Sequence, residues 1–169
     1  MANKLNKNKN IVVVFFGDGA TEEGVFQESL DFAALHSLRV FFVCENNNFS
    51  VYSSKRSRQN KKRNICKMAN ALGIKSLSLQ NHDLLKVYRH SQKIIKNIRN
   101  YSQPFLLEVD TFRTVEHCGP NNDDHLNYRN KNEIKKWLGR CQVNIYEKKI
   151  LRSNILSKDK LNLIKNKIK

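Results

Sequence analysis

Two runs of β-branched and aromatic residues, each ended by a cluster of polar residues, set the strongest limit on how this chain can fold. The first run spans Ile11–Phe16 and is followed by Gly17-Asp18-Gly19. The second spans Val40–Cys44 and ends in Glu45-Asn46-Asn47-Asn48. Continuous apolar runs of this length are typical of strands that are buried on both faces of a sheet. We therefore expect two buried strands, each with polar residues at its carboxyl end.

The segments between and after these runs alternate between helical and extended patterns. Residues 22–36 carry apolar side chains at three- and four-residue spacing, which predicts a helix with Thr21 as its N-cap. Further helices are predicted over 64–72 and 82–100, and further strands over 74–79 and 105–112. This alternation predicts an α/β fold, with a parallel sheet flanked by helices on both faces.

Composition divides the chain into three stretches. A polar head occupies residues 1–10, the α/β domain occupies 11–140, and a basic helical tail occupies 141–169. In the tail, Leu161, Ile164 and Ile168 fall on one helical face. The total of 169 residues suits about one domain.

The strong positive charge raises the question of a nucleic-acid partner. Lys and Arg total 31 against 15 Asp and Glu, which gives a formal charge of +16. The densest cluster, Lys55–Arg63, holds no aromatic side chain on which a base could stack. Basic residues are also spread over the head and the tail. A solvated basic loop is therefore favoured over nucleic-acid binding at this cluster, although both remain open.

Neither a membrane protein nor a secreted, disulfide-bonded one is expected. The longest apolar run, Ile11–Phe16, is far shorter than the ~20 residues of a bilayer span. The N-terminus has no apolar segment typical of a secretory signal. The four cysteines have neither zinc-finger nor C-x-x-C spacing. We expect a cytoplasmic protein with free thiols and no membrane association.

The polar residues that end the first two strands suggest a metal site. Asp18 and Asn47 each follow a buried strand, and together they offer a carboxylate and an amide oxygen, as Mg²⁺ prefers. Backbone N–H groups of Gly19 and Ala20 at the start of a helix favour anionic oxygens. Gly17 and Gly19 permit close approach of the backbone. The pattern predicts a magnesium-diphosphate site, with Glu22 and Glu23 facing solvent; a plain tight turn is the alternative.

These residues resemble a known family. Phe16-Gly17-Asp18-Gly19-Ala20 and Cys44-Glu45-Asn46-Asn47 resemble the thiamine-diphosphate motif, with Asn47 lying 29 positions after Asp18. The match is closer still to the alpha subunit of the first component of 2-oxo acid dehydrogenase complexes, of the pyruvate, acetoin and branched-chain types. The likeness continues through Gly24–Leu35, Arg58-Gln59, Ala71–Ile74, Pro104–Glu108, Phe112-Arg113, Glu116–Pro120, Tyr128-Arg129 and Trp137.

The resemblance implies a thiamine-diphosphate-binding fold, present in part, and a role for each matching residue. Asp18 and Asn47 match the side chains that bind Mg²⁺, and Phe49 matches a ligand through its backbone carbonyl. Gly19 and Ala20, with Gly17 before them, match the backbone at the cofactor diphosphate. Arg113 and His117 match an active-site loop over that diphosphate, where the histidine is catalytic in reductive acyl transfer to a lipoyl group.

The implied activity is oxidative decarboxylation of a small 2-oxo acid, with thiamine diphosphate and Mg²⁺ as cofactors. The implied partners are the beta subunit of the same component and the lipoyl domain of the acyltransferase component. The chain departs from the family in two ways. Cys118 stands where many relatives carry a phosphorylatable serine, and family members carry a further N-terminal half before the Gly-Asp-Gly strand. A catalytically silent remnant or assembly subunit that keeps the fold is therefore the alternative hypothesis.

Overall fold

The computed structural model describes residues 1–80 and 83–168. Residues 81, 82 and 169 lie outside this description. The predicted helix over 82–100 and the predicted tail over 141–169 each include one of these positions, and they are compared with the structure only over their described residues.

The described residues form six strands, eight α-helices and two short 3-10 helices. The strands are β1 (Val12–Gly17), β2 (Val40–Asn46), β3 (Phe49–Ser50), β4 (Ser53–Ser54), β5 (Lys75–Leu79) and β6 (Phe105–Asp110). The helices are α1 (Ala2–Leu5), α2 (Gly24–Leu35), α3 (Lys55–Arg58), α4 (Ile65–Ala71), α5 (Leu84–Tyr101), α6 (Lys131–Leu138), α7 (Gln142–Arg152) and α8 (Lys158–Ile168). The 3-10 helices span Asp18–Glu22 and Asp124–Leu126.

Four strands form one parallel sheet in the order β1-β2-β6-β5. Strands β3 and β4 form a separate antiparallel hairpin directly after β2. Parallel strands need a crossover between them, and here α2 supplies the crossover from β1 to β2. The predicted α/β class, with a parallel sheet flanked by helices, is confirmed.

Two apolar layers cover the two faces of the central strands. On one face Phe42 and Cys44 of β2 pack with Leu106 of β6 and with side chains of α2 and α4. On the other face Phe41 and Val43 pack with α5 and with the remaining apolar residues of β5 and β6. Successive residues of a strand point to opposite faces, so the continuous apolar sequence of β2 serves both layers at once.

Strand β1 differs from its prediction. Its apolar sequence led us to expect burial on both faces, yet Val12, Val13, Val14 and Phe15 are all exposed. Among the residues that the structure describes, the strand is the edge of the sheet and pairs with β2 alone. Burial of a strand depends on what lies beside it, which its own sequence does not state.

Three local features were also predicted differently. Helix α2 begins at Gly24, and Thr21 is not its N-cap because Thr21 is buried inside the preceding 3-10 turn. Strand β2 extends to Asn46, past the predicted end at Cys44. The predicted basic loop contains a short helix, α3, whose first turn is capped by the Ser54 side chain.

The chain forms two compact units, Met1–Tyr128 and Arg129–Lys169. The first holds both sheets and all residues assigned to the site; the second holds α6, α7 and α8. Within the second unit Lys165 donates to Glu147 over 2.6 Å. The predicted division at residues 10 and 140 stays a prediction. None of the helices in the described part of the chain combines the length and apolar character that a bilayer span requires.

Candidate functional site

The turn after β1 buries an acidic side chain. Strand β1 pairs with β2 up to Gly17 opposite Glu45, and Asp18 then begins the 3-10 helix. Asp18 is 0% exposed, and the Thr21 hydroxyl donates to its backbone carbonyl over 2.6 Å. A buried carboxylate is costly unless charged or polar groups compensate it. Such a residue needs partners at this position.

Within the described part of the chain, one of the two carboxylate oxygens of Asp18 has a partner. Arg58 Nη2 lies 2.7 Å from Oδ2 of Asp18 in an ion pair. The other oxygen, Oδ1, is buried and has no hydrogen-bond partner among the described residues. Because buried polar atoms are nearly always satisfied in folded proteins, this carboxylate oxygen is a candidate ligand for a cation.

Asn47 lies in the loop that follows the neighbouring strand. Its Oδ1 accepts from the backbone N–H of Phe49 over 2.9 Å, which fixes the turn from β2 into β3. Both Asn47 and Phe49 are half-buried. Since β1 and β2 are parallel neighbours, Asp18 and Asn47 follow the carboxyl ends of these strands at the same end of the sheet. The amide oxygen keeps a second lone pair for a further contact.

Gly19 allows the β3–β4 hairpin to lie directly against the turn. A Cβ atom built at Gly19 would meet Ser50 Oγ at 2.8 Å, and Arg58 Nη1 at 3.7 Å. Any larger residue would therefore push the hairpin away. Gly19 is half-buried, and Ala20 next to it is exposed.

The basic segment over 55–63 binds the acidic turn. Arg58 and Gln59 both donate to Glu22 Oε1, and Arg63 donates to the carbonyl and, over 2.8 Å, to the hydroxyl of Thr21. We call Arg58, Gln59 and Arg63 the clamp. Partial burial opposes ionisation of Glu22, but the hydrogen bonds from Gln59 and Arg58 outweigh it and lower the pKa of this carboxyl.

The clamp changes one expectation. The basic cluster is not simply a solvated loop, because three of its side chains are engaged with the turn. Glu22 and Glu23 are exposed, as expected, and Glu22 also accepts from two clamp residues. Arg58-Gln59 was part of the resemblance, but Arg63 was not. The sequence feature that could have indicated this contact is the opposite charge of residues 18–22 and 55–63.

Arg113 connects the loop after β6 to the β3–β4 hairpin. Its Nη1 lies 3.2 Å from His117 Nδ1, and its Nη2 donates to Val51 O over 2.6 Å and to the Tyr128 hydroxyl over 2.9 Å. The Tyr128 hydroxyl in turn donates to Asp123 over 2.7 Å. Arg113 and His117, which the sequence put together, are in contact. His117 itself is exposed.

Aromatic packing joins the same two segments. The Tyr128 ring lies edge-on to Phe49 and to Tyr52, with ring centres 5.4 and 5.2 Å apart. Such edge-to-face pairs are favourable contacts. The loop that carries His117 is thereby held against the hairpin that follows Asn47.

A buried polar pair beneath the site was missed by the sequence analysis. Asn46 Nδ2 donates to Glu108 Oε1 over 2.7 Å, and the Cys66 thiol contacts the other oxygen of Glu108 at 3.6 Å. Asn46 Oδ1 accepts from the backbone N–H of Asn48. Asn46 therefore ties the loop containing Asn47 to strand β6. Nothing in the sequence pairs residues 62 positions apart.

The residues at this end of the sheet suit a magnesium ion better than a transition metal. Among the residues that the structure describes, no three His, Cys, Asp or Glu side chains gather into a metal-binding group. Mg²⁺ in phosphate sites usually has one or two protein carboxylates and completes its shell with phosphate and water oxygens. The unpartnered Oδ1 of Asp18 fits that donor set.

Comparison with known proteins identifies the family. The model of the dehydrogenase E1 component family matches residues 1–169, and the chain belongs to this family. It is 32% identical over 168 residues to the pyruvate dehydrogenase E1 component subunit alpha of Rickettsia bellii, covering 99% of this chain and 50% of the relative. It is 34% identical over 146 residues to the mitochondrial 2-oxoisovalerate dehydrogenase subunit alpha 1 of Arabidopsis thaliana, covering 86% of this chain and 30% of the relative.

The chain thus spans about half the length, or less, of the curated relatives that it matches. Among solved structures it is similar to a transketolase from Pichia stipitis, with a TM-score of 0.51 and 19% identity. That match covers 60% of this chain and 15% of the transketolase, and it supports the fold alone.

Proposed function

We propose that this chain forms the thiamine-diphosphate- and Mg²⁺-binding part of a 2-oxo acid dehydrogenase alpha subunit. The single observation that carries the proposal is the fully buried Asp18, whose Oδ1 has no partner among the described residues. Membership of the dehydrogenase E1 component family supports the same reaction class.

Each residue of the turn has a separate task in this proposal. Asp18 and Asn47 bind the magnesium ion through side-chain oxygens, and Phe49 binds it through its backbone carbonyl. The backbone of Gly17, Gly19 and Ala20 binds the diphosphate. When bound, thiamine diphosphate supplies the carbanion chemistry that removes carbon dioxide from a 2-oxo acid, while the protein supplies position and electrostatics.

His117 is the proposed catalytic residue for acyl transfer, and its contact with Arg113 determines where its proton lies. An arginine can only donate, so His117 Nδ1 accepts in the 3.2 Å contact with Arg113 Nη1. The neutral ring then has its proton on Nε2. Through this N–H, His117 would donate a hydrogen bond to one sulfur of the lipoyl group and stabilise the negative charge that develops there, as the S–S bond breaks and the other sulfur takes the acyl group. Arg113 keeps the ring in the required tautomer.

The proposed partners follow from the family. They are the beta subunit of the same component, the lipoyl domain of the acyltransferase component and a small 2-oxo acid of the pyruvate or branched-chain type. Acetoin is a further candidate substrate from the resemblance. Relatives acting on pyruvate and on 2-oxoisovalerate are both similar to this chain, as their names state. We propose the cytoplasm as the site of action.

Titration calorimetry with thiamine diphosphate and Mg²⁺ tests the cofactor assignment. The full chain should release heat with both present, and Asp18→Asn should abolish it because the amide carries no charge for the cation. Asp31→Asn, on the exposed side of α2, is the matched control and should bind as the unsubstituted chain does. Equal binding by the Asp18→Asn variant contradicts the proposal. Absence of heat from the unsubstituted chain supports the silent assembly protein instead.

A further inference from the structure

The proposed diphosphate site contains an electrostatic conflict. Glu22 belongs to the same 3-10 turn as Gly19, and its carboxylate would repel a diphosphate bound at that backbone. Charges a few ångströms apart interact strongly where water is partly excluded. A site for an anion at this turn therefore needs something that neutralises Glu22.

Arg58 is placed to do this. Its guanidinium spans the two acidic residues of the turn, with Nη1 on Glu22 and Nη2 on Asp18. Its Nε donates to Ser53 O over 3.1 Å, which fixes the direction of the fork. The side chain is only 13% exposed, so solvent weakens these contacts less than at an open surface.

The same guanidinium lies next to the proposed phosphate position. Nη1 is 3.7 Å from the place of a Cβ on Gly19. Three of the five N–H groups of Arg58 are engaged with Ser53, Glu22 and Asp18, and the other two have no partner among the described residues. Arg58 can thus hold Glu22 while it presents positive charge towards an anion at Gly19.

We propose that Arg58 is a positioning residue of the diphosphate site, which holds the Glu22 carboxylate away from the bound anion and neutralises its charge. This inference rests on the proposed function. Asp18 anchors the guanidinium, and Gln59 provides a second hydrogen bond to Glu22. Lysine could not replace Arg58, because an ammonium group lacks the planar fork that meets two carboxylates at once.

Calorimetric titration of the full chain with thiamine diphosphate and Mg²⁺ tests this inference through charge rescue. The variants are Arg58→Gln, Arg58→Lys and each of these combined with Glu22→Gln. Arg56→Gln is the matched control, since Arg56 lies in the same short helix and is exposed. Arg58→Lys keeps a cation near buried Asp18, so it also covers the case in which Arg58→Gln does not fold. Far-UV circular dichroism checks each variant.

We expect either Arg58 substitution to weaken binding of thiamine diphosphate by about tenfold, a loss of ~1.4 kcal/mol. Adding Glu22→Gln should recover most of this loss of affinity, and raising the salt concentration should reduce the loss. Both changes weaken the repulsion between the Glu22 carboxylate and the diphosphate. If Arg58 had a purely structural role, neither Glu22→Gln nor added salt would reduce the loss of affinity. Arg56→Gln should leave the affinity unchanged.

Two outcomes would overturn the inference. The first is unchanged affinity in both Arg58 variants, and the second is a loss that Glu22→Gln does not recover. In both the unsubstituted chain still binds and Asp18→Asn does not, so the proposed function stands. If the unsubstituted chain and Asp18→Asn behave alike, the proposed function and this inference fail together.

Discussion

At the scale of single residues, the cysteines differ sharply in their surroundings. Cys44 is fully buried, and burial together with the nearby Glu108 charge raises the pKa of its thiol. Burial, reinforced by the charge of Glu108, raises the pKa of Cys66 to about 11, although a hydrogen bond from Ser76 opposes the change. Cys118 lies exposed in the loop that carries His117. Only the thiolate form of a cysteine is an effective nucleophile.

Alkylation with iodoacetamide at pH 8 should therefore modify Cys118 first and leave Cys44 and Cys66 unmodified in the folded chain. Because a raised pKa keeps a thiol protonated, reaction at Cys66 should increase only as the pH approaches about 11. Mass spectrometry of the digested protein locates the modified sites. In urea all four cysteines should react, which is the control. Early modification of Cys66 at pH 8 would contradict the raised pKa of its thiol.

At the scale of elements, the Asn46–Glu108 hydrogen bond joins the ends of β2 and β6 beneath the proposed site. Both side chains are buried, at 7% and 8% exposed. Their strands are neighbours, with Cys44 opposite Glu108 and Asn46 opposite Asp110. The bond therefore runs diagonally between the strands. It sets the position of the loop that starts at Asn47.

Removing one partner of this pair should be costly. We expect Glu108→Ala to lower the free energy of unfolding by about 1–3 kcal/mol, because the Asn46 amide then lacks an acceptor in a buried position. Glu108→Gln keeps an oxygen for Asn46 and should lose less. Urea denaturation measures both. Glu45→Ala, at an exposed position of β2, is the control and should change stability by less than about 0.5 kcal/mol. A loss for Glu108→Ala no larger than that of the control would contradict the role of the pair.

The same element shows how far the sequence predicts the molecule. Strand β2 was predictable because a run of apolar residues bounded by polar ones has few alternatives in an α/β chain. The hydrogen bond of Asn46 to Glu108 was not predictable, because the two residues are distant in the sequence. The contacts of the clamp were not predictable for the same reason. Residues 18–22 and 58–63 meet only after the sheet and the hairpin have formed.

Thr21 illustrates a local prediction overridden by tertiary contacts. A threonine before two glutamates is a favourable N-cap sequence. In the structure its hydroxyl donates to Asp18 O and accepts from Arg63, so it stabilises the tighter turn instead. The difference moves the start of α2 to Gly24 and leaves Asp18 through Glu22 in the 3-10 turn of the proposed site. Local helix propensity does not take account of hydrogen bonds to residues distant in the sequence, such as the one from Arg63.

At the scale of the whole molecule, β1 is the most unusual feature. It is the edge of a parallel sheet, it holds no charged side chain, and Val13 and Phe15 are 43% and 66% exposed. Proteins generally protect such edges with charged residues, proline or a covering segment. The free backbone groups and apolar side chains of β1 together favour association with another strand.

We expect the full chain to self-associate through this edge as its concentration rises, and the double substitution Val13→Lys with Phe15→Lys to prevent it. Lysine on an edge strand repels a second copy without removing any buried contact, so stability should change by no more than about 0.5 kcal/mol. Sedimentation velocity over a range of concentrations measures the association. Val25→Lys is the matched control, since Val25 is 62% exposed but lies on α2. A chain that stays monomeric at every concentration, or one dispersed equally by Val25→Lys, would contradict a role for the β1 edge.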